Sequence, residues 1–366
     1  MKLRYKIISG LFGLLVLAVV ALAIVIGYTA PCGPVPETAS AAVQMKAVVY
    51  RCYGSPDVLA LEDVARPKPG DNEVLVKVEA ASVNPLDWHH MRGSPYFMRL
   101  STGVGSPKDD RMGVDFAGVV AAVGEQVTEF KPGDEVFGGR TGAFAEYVLV
   151  PDDRAIVHMP AGVSFEHAAS LPIAALTALQ ALRDKGDLQP GQKVLINGAS
   201  GGVGTFAVQI AKSMGAEVHG VCSTRNVELV RSLGADRVWD YKKEDYTDSD
   251  EVYDLIIDMV GNHSLSKNRS VMSEQGRLVI VGGPSGNWLG PMKRPVAALL
   301  SGPFVDQELI ILLARLRKDD LTEVAGLVQS GAVRPVIDRR FALQDVKAAI
   351  TYSEEGRARG KILIEF

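Results

Sequence analysis

A chain of 366 residues, 47% hydrophobic and 22% charged, is long enough for two ordinary domains and has the composition of a folded globular protein rather than a disordered one. Its formal charge of −4, with no Lys/Arg-rich run beyond the N-terminus, leaves no basic surplus for phosphate backbones and excludes nucleic acid as an expected partner. The three cysteines, Cys32, Cys52 and Cys222, form no CxxC pair, so their spacing predicts neither a zinc knuckle nor a disulfide framework; they are read as separate thiols.

The chain opens with Lys2, Arg4 and Lys6 and then runs IISGLFGLLVLAVVALAIVIGY, Ile7 to Tyr28, with no charged residue before Glu37. This approaches the ~20 apolar residues that cross a bilayer as a helix, so residues 1–28 are expected to be a single-pass membrane anchor. A cleavable secretory signal is the competing reading, but its apolar part runs only about 7–15 residues. The nearest small-x-small site, Ala39-Ser40-Ala41, also lies well beyond the apolar run. The leading basic residues would hold the N-terminus in the cytoplasm and the large domain outside, which conflicts with the cofactor chemistry below and leaves the side of the membrane open. Residues 29–44, with three prolines and several small residues, read as a linker.

From Met45 the chain turns β-rich. MKAVVY, NEVLVKVEA, FAGVVAAVG and FAEYVLV are short apolar or period-two runs, separated by Lys-Pro-Gly-Asp at 68–71 and 131–134, and they predict a mostly antiparallel sheet or barrel to about residue 165. FEHAASLPIAALTALQAL then has helical spacing. From Lys193 strands alternate with helices: KVLIN, a helix over 205–214, AEVHGVC, a helix over 226–233, DRVWDY, DLIIDMV and RLVIVGG. Such alternation implies right-handed βαβ units and a doubly wound parallel sheet, which binds ligands at the carboxyl ends of its strands. The helix in DLTEVAGLVQSG, the strand-like VRPVIDRRFAL, a further helix and the closing strand KILIEF are assigned back to the first domain.

Between KVLIN and the amphipathic TFAVQIAKSMG stands GASGGVG, Gly198 to Gly204. Ala199-x-Gly201-x-x-Gly204 has the dinucleotide-fingerprint spacing with Ala in the first place. Gly201 would let backbone approach a pyrophosphate, Gly204 would let the helix close on the strand, and the loop (Ala199, Ser200, Gly201, Gly202, Val203, Gly204) would offer N–H groups at a helix N-terminus. The end of the next strand discriminates between cofactors. An Asp or Glu there would accept from a ribose 2′-OH and repel a 2′-phosphate; this chain has Cys222-Ser223-Thr224-Arg225-Asn226, so Ser223 and Arg225 point to NADPH.

Together, SVNPLDWHHMRG, GVDFAGVV, VTEFKPGDEVFG, LPIAALTALQAL, GASGGVGTFAVQIAK, SLGADRVWDY and RARGKILIEF resemble the medium-chain dehydrogenase/reductase superfamily, in its zinc-free quinone oxidoreductase and enone reductase branch, from about Met45 to Phe366. The resemblance implies an α/β fold with a GroES-like β-rich catalytic domain over 45–170, a Rossmann NADP-binding domain over 171–310 and a return to the catalytic domain over 311–366. In zinc alcohol dehydrogenases of the superfamily a Cys stands where this chain has Asn84, and Gly-His-Glu where it has Gly113-Val114-Asp115. Catalytic zinc needs about three protein ligands, so no metal is expected. The implied reaction is hydride transfer from NADPH to an enal, an enone or a quinone. An NADPH-binding sensor or crystallin-like protein without turnover is the alternative.

By the same resemblance, Asn84 would donate to an oxygen of the substrate or of the nicotinamide ribose, or else simply shape its Asn-Pro turn. Thr177 would lie beside the nicotinamide ribose or be a core helix residue. Gly282 and Gly283 would face the carboxamide, with Val260 in the same crevice; Tyr241 would contact the adenosine phosphate or cap the sheet. Asp87, Asp115, His89 and Tyr96 are ionisable neighbours for which a structural role is expected, and no proton donor is named. Folds of this kind often pair through edge strands, which leaves a homodimer as an open expectation.

Overall fold

The computed structural model describes residues 2–34, 43–284, 286–288 and 290–366, with the side chains in them other than those of 2–12, 14, 15 and 303. The β-rich segment forms two sheets. The strands β1 (Gln44–Val49) and β2 (Ala60–Ala65) pair antiparallel by themselves, and β2 alternates half-buried and exposed positions, as one covered face requires. The larger, seven-stranded sheet contains β3 (Glu73–Val83), β4 (Asp115–Val123), β5 (Glu135–Gly139), β6 (Tyr147–Pro151) and β7 (Ile156–His158). Two strands from the far end of the chain, β14 (Ile337–Ala342) and β15 (Lys361–Glu365), complete it in the order β14-β15-β3-β4-β5-β7, with β6 also on β3. Val76, Phe116, Phe144, Ile156 and Ile364 fill its core.

The second unit is a six-stranded parallel sheet of β8 (Lys193–Asn197), β9 (Glu217–Cys222), β10 (Arg237–Asp240), β11 (Tyr253–Asp258), β12 (Met272–Ile280) and β13 (Glu308–Ile311), in the order β10-β9-β8-β11-β12-β13. Strand order reverses about β8, the doubly wound pattern expected from the alternation. Four of the five KVLIN residues are buried, the mark of a strand covered on both faces. One face packs on α4 (Phe165–Ala169), α5 (Pro172–Leu179), α6 (Gly202–Ser213) and α10 (Lys318–Gln329) in a core that also takes in Ala80, Ala117 and Phe137, so the two units share apolar contacts. The other face carries α8 (Leu265–Arg269) and α9 (Lys293–Ser301) around Trp239, Tyr246 and Leu278. The helix expected over 205–214 begins three residues earlier, inside the glycine run, and ends before Gly215, whose φ of +79° suits a residue without Cβ. The helix expected over 226–233 is α7 (Val227–Ser232), and α11 (Val346–Glu354) precedes β15.

The N-terminal region departs from expectation. The first helix is α1 (Lys2–Gly27). Among the described residues no helix is long and apolar enough to cross a membrane, and the expected anchor, with its membrane localisation and partner, is corrected accordingly. The end of α1 is held by protein. Before the short α3 (Arg99–Thr102) proper, Arg99 Nη1 donates to the carbonyls of Ile26 (3.1 Å), Gly27 (3.2 Å) and Tyr28 (2.8 Å), groups a helix end leaves without partners. Ala30 N donates to Gly105 O. Linker residues 35–42, with Ala39-Ser40-Ala41, lie outside the described residues. The cysteines are not all separate: Cys32 and Cys52 form a disulfide with Cα atoms 4.6 Å apart, because the segment after α1 doubles back beside the end of β1, while Cys222 is free and buried.

Candidate cofactor and active site

The glycine loop sits at the carboxyl end of β8, and α6 starts within it. A Cβ on Gly204 would lie 2.1 Å from Gly198 O, so the close approach of helix to strand requires glycine there. The cradle is open where a ligand would lie: a Cβ on Gly201 meets nothing nearer than 3.5 Å, and one on Gly283 nothing within 4 Å. Ala199 is fully buried beneath the loop, and Ser200 Oγ is tied by Asn226 Nδ2 (2.9 Å). These features fit a dinucleotide pyrophosphate lying over the N–H groups of Gly201, Gly202, Val203 and Gly204.

The tips of the neighbouring strands converge on the same edge. After β9, Ser223 is half-buried and its Oγ accepts from Asn226 Nδ2 (3.3 Å); Arg225 is exposed and its Nη2 donates to the carbonyl of Arg357 (2.7 Å), across from the other domain. Tyr241, after β10, is 54% exposed, and its N–H donates to Cys222 O at the end of β9. Val260 packs its Cγ2 3.1 Å from the Cβ position of Gly198, and Gly282 lies against Met259 O, too close for a side chain. Thr177 on α5 is buried, and its hydroxyl donates to Ile173 O (2.6 Å), leaving the oxygen able to accept.

Facing the loop from the catalytic domain is a buried polar cluster of Asn84 at 2%, Asp115 at 0% and Lys361 at 2% exposure. Asn84 follows β3 directly and caps the start of α2 (Pro85–Arg92), with its backbone N–H held by Asp87 Oδ2 at 2.7 Å. Its Nδ2 donates to Asp115 Oδ2 (2.8 Å) and its Oδ1 accepts from Lys361 Nζ (2.6 Å). Lys361 also lies 3.3 Å from Asp115 Oδ2, which accepts from Ser82 Oγ, while Asp115 Oδ1 accepts from Ile173 N. The Asn84 amide is thus held between an acceptor and a donor of its own chain. Burial pushes the Asp115 carboxyl above its ordinary value, against the pull of Lys361 and of its hydrogen bonds from Asn84 and Ile173. Asp87, also buried, is pushed up to about 7 by desolvation.

Lys361 had drawn no notice in KILIEF. Its role emerges only from the antiparallel pairing of Ile362 with Val83, which sets Lys361 beside Asn84, and from a bridge between Gly201 and Gly360 that brings β15 to the glycine loop. His89 and Tyr96 lie elsewhere. His89 Nδ1 is 2.6 Å from Ser94 O and burial lowers its pKa, while Tyr96 N donates to Asn287 O and the Tyr96 ring packs edge-on to Trp288, so this loop fastens the two domains together. Among the described residues no group of three or more His, Cys, Asp or Glu side chains could hold a metal ion, and Asp115 is already engaged by an ammonium.

A doubly wound nucleotide domain clasped by a GroES-like domain, with the last strands returning to the first sheet, is the two-domain plan of nicotinamide-dependent dehydrogenases and reductases. Residues 70–161 match alcohol dehydrogenase GroES-like domains, and residues 233–364 match the family described as zinc-binding dehydrogenase. The chain is 35% identical to a chloroplastic quinone oxidoreductase of Triphysaria versicolor, over 88% of this chain and 98% of that one. It is 32% identical to a chloroplastic NADPH-dependent alkenal/one oxidoreductase of Arabidopsis thaliana, over 90% and 82%. The solved quinone oxidoreductase from Coxiella burnetii superposes with a TM-score of 0.78 at 31% identity, covering 88% of this chain and all of that one. The chain belongs to the medium-chain dehydrogenase/reductase superfamily, with quinone oxidoreductases among its relatives.

Proposed function

We propose that the protein is a zinc-independent, NADPH-dependent reductase of α,β-unsaturated carbonyls or quinones. The observation that carries this reading is the Asn84–Asp115–Lys361 cluster facing the glycine loop: its only carboxylate is committed to an ammonium, so the donor set suits a polar acceptor oxygen rather than a metal. The cofactor, when bound, supplies a hydride from C4 of the reduced nicotinamide to the acceptor. The chain's residues then have distinct tasks. The N–H groups of Gly201 to Gly204 hold the pyrophosphate, and Ser223 with Arg225 holds the 2′-phosphate, where a charge-assisted hydrogen bond contributes about 1.5–3 kcal/mol. Thr177 accepts from the nicotinamide ribose, Val260, Gly282 and Gly283 border the nicotinamide ring, and Tyr241 flanks the adenosine. Asn84 donates to the oxygen that gains charge as the acceptor is reduced, a task served best by a donor fixed beforehand.

The relatives named for quinone and alkenal/one reduction support the substrate class, and Ser223-Thr224-Arg225, which follows β9 without an acid, supports NADPH. The exposed apolar residues Phe304, Ile311 and Leu313 on and beside edge strand β13 support pairing of two copies. Loss of reduced-nicotinamide absorbance with a panel of enals, enones and quinones tests the activity; turnover with at least one acceptor, faster with NADPH than NADH, is expected. Tight NADPH binding by calorimetry with no turnover of any acceptor would replace this reading with that of a sensor or structural protein.

A further inference from the structure

An asparagine amide carries two donors on nitrogen and one acceptor oxygen, and its orientation follows from what surrounds it. Around Asn84 the surroundings leave no choice. On one side stands Lys361 Nζ, which can only donate; on the other stands Asp115 Oδ2, an acceptor that also takes the hydroxyl of Ser82. Rotating the amide by half a turn would set nitrogen against ammonium and oxygen against carboxylate, exchanging two good contacts for two repulsive ones in a buried site. The first N–H of Nδ2 is committed to Asp115; the second has only Ser82 O at 3.5 Å, a weak contact. That second N–H is the donor capacity left over.

We propose that Lys361 is a positioning residue: its ammonium, balanced by Asp115, locks the Asn84 amide with oxygen inward, so that the loosely engaged N–H is the donor offered to the ligand in the cleft. The placement of the lysine supports this. It opens β15 directly beside Asn84, it is 2% exposed, and its Cδ lies 3.4 Å from the Cβ position of Gly202 at the start of α6, so the lock and the cofactor cradle share one wall. The groups around it are Asp115 from β4, Ser82 from the end of β3, Asn84 directly after it, and Asp87 from α2. The inference rests on the reductase reading for what the donor serves, but the lock itself is independent of any activity.

Two measurements separate the lock from the reaction. In the full-length ¹⁵N-labelled protein, the Asn84 side-chain NH₂ pair, assigned by its disappearance in Asn84→Asp, should show two well-separated, slowly exchanging protons. Lys361→Met should move both signals and speed their exchange about tenfold or more. Lys361→Met leaves Asp115 unpaired, so Lys361→Met/Asp115→Asn, which removes both charges, serves as the folded variant if the single one fails to fold, and the same change is expected in it. An Asn84 pair unmoved in either variant overturns the proposal. In turnover, Asn84→Ala and Lys361→Met should each lower kcat about tenfold or more, and the double variant should be no worse than the poorer single one, because a lock without its amide has nothing to hold. Additive losses would overturn positioning in favour of an independent role for the lysine. Absence of turnover with every acceptor would sink the reductase reading, while the amide signals would still decide the lock.

Discussion

After β9 Arg225 is exposed and reaches the carbonyl of Arg357, whereas on the proposed catalytic floor Asn84, Asp115 and Lys361 are at most 2% exposed and satisfy one another. Both regions are polar and both face the same glycine loop, yet the physics differs. An exposed guanidinium is screened by water and does little until a phosphate arrives, so its value lies in selection among ligands. A buried ion pair gains little net stability for the fold but becomes costly once one partner is taken away. On the proposed function, ligand choice is thus written on the surface and ligand orientation in the interior.

The strongest way to break this contrast is at Asp115. Asp115→Ala leaves the buried Lys361 ammonium without its carboxylate partner and should cost about 3–5 kcal/mol, read as a lowered unfolding midpoint in denaturant; a loss below about 1 kcal/mol would mean that the floor behaves like the surface. Next in size, Arg225→Ala should weaken NADPH binding roughly ten- to hundredfold by calorimetry, with NADH affinity and unfolding midpoint nearly unchanged; equal losses for both cofactors would remove Arg225 from the selection site. The smallest effect sharpens the interior side. Asp87 titrates at about 7 in the folded chain against an ordinary 3.8, so the fold binds the extra proton between those values and loses stability as pH rises across that window. Asp87→Asn should flatten this slope and raise stability above pH 7 by about 1–2 kcal/mol, leaving it unaltered near pH 4. Parallel pH profiles for the two proteins would show that Asp87 ionises as an exposed carboxyl does.

The nucleotide domain was legible in the sequence because its signals are local. Strand, glycine loop and helix follow one another within about twenty residues, and the ends of β9, β11 and β12 are reached by counting along the chain. The floor cluster was half legible. Asn84 and Asp115 stood out through the resemblance to zinc dehydrogenases, but Lys361, 277 residues beyond Asn84, joins them only through the pairing of β15 with β3, which no local pattern reveals. At the N-terminus, hydropathy alone suggested a bilayer span, while the contacts of Arg99 with three carbonyls and the pairing of Cys32 with Cys52 depend on the chain doubling back, which spacing does not encode.

The bridge between Gly201 and Gly360 joins the cofactor loop to the residue just before the final strand. Motion of either is therefore expected to be mechanically shared, so that occupancy of the nucleotide cleft should be felt within six residues of the C-terminus. Hydrogen–deuterium exchange should register this coupling as slower solvent exchange at the amides of Lys361 to Ile364 on addition of the dinucleotide.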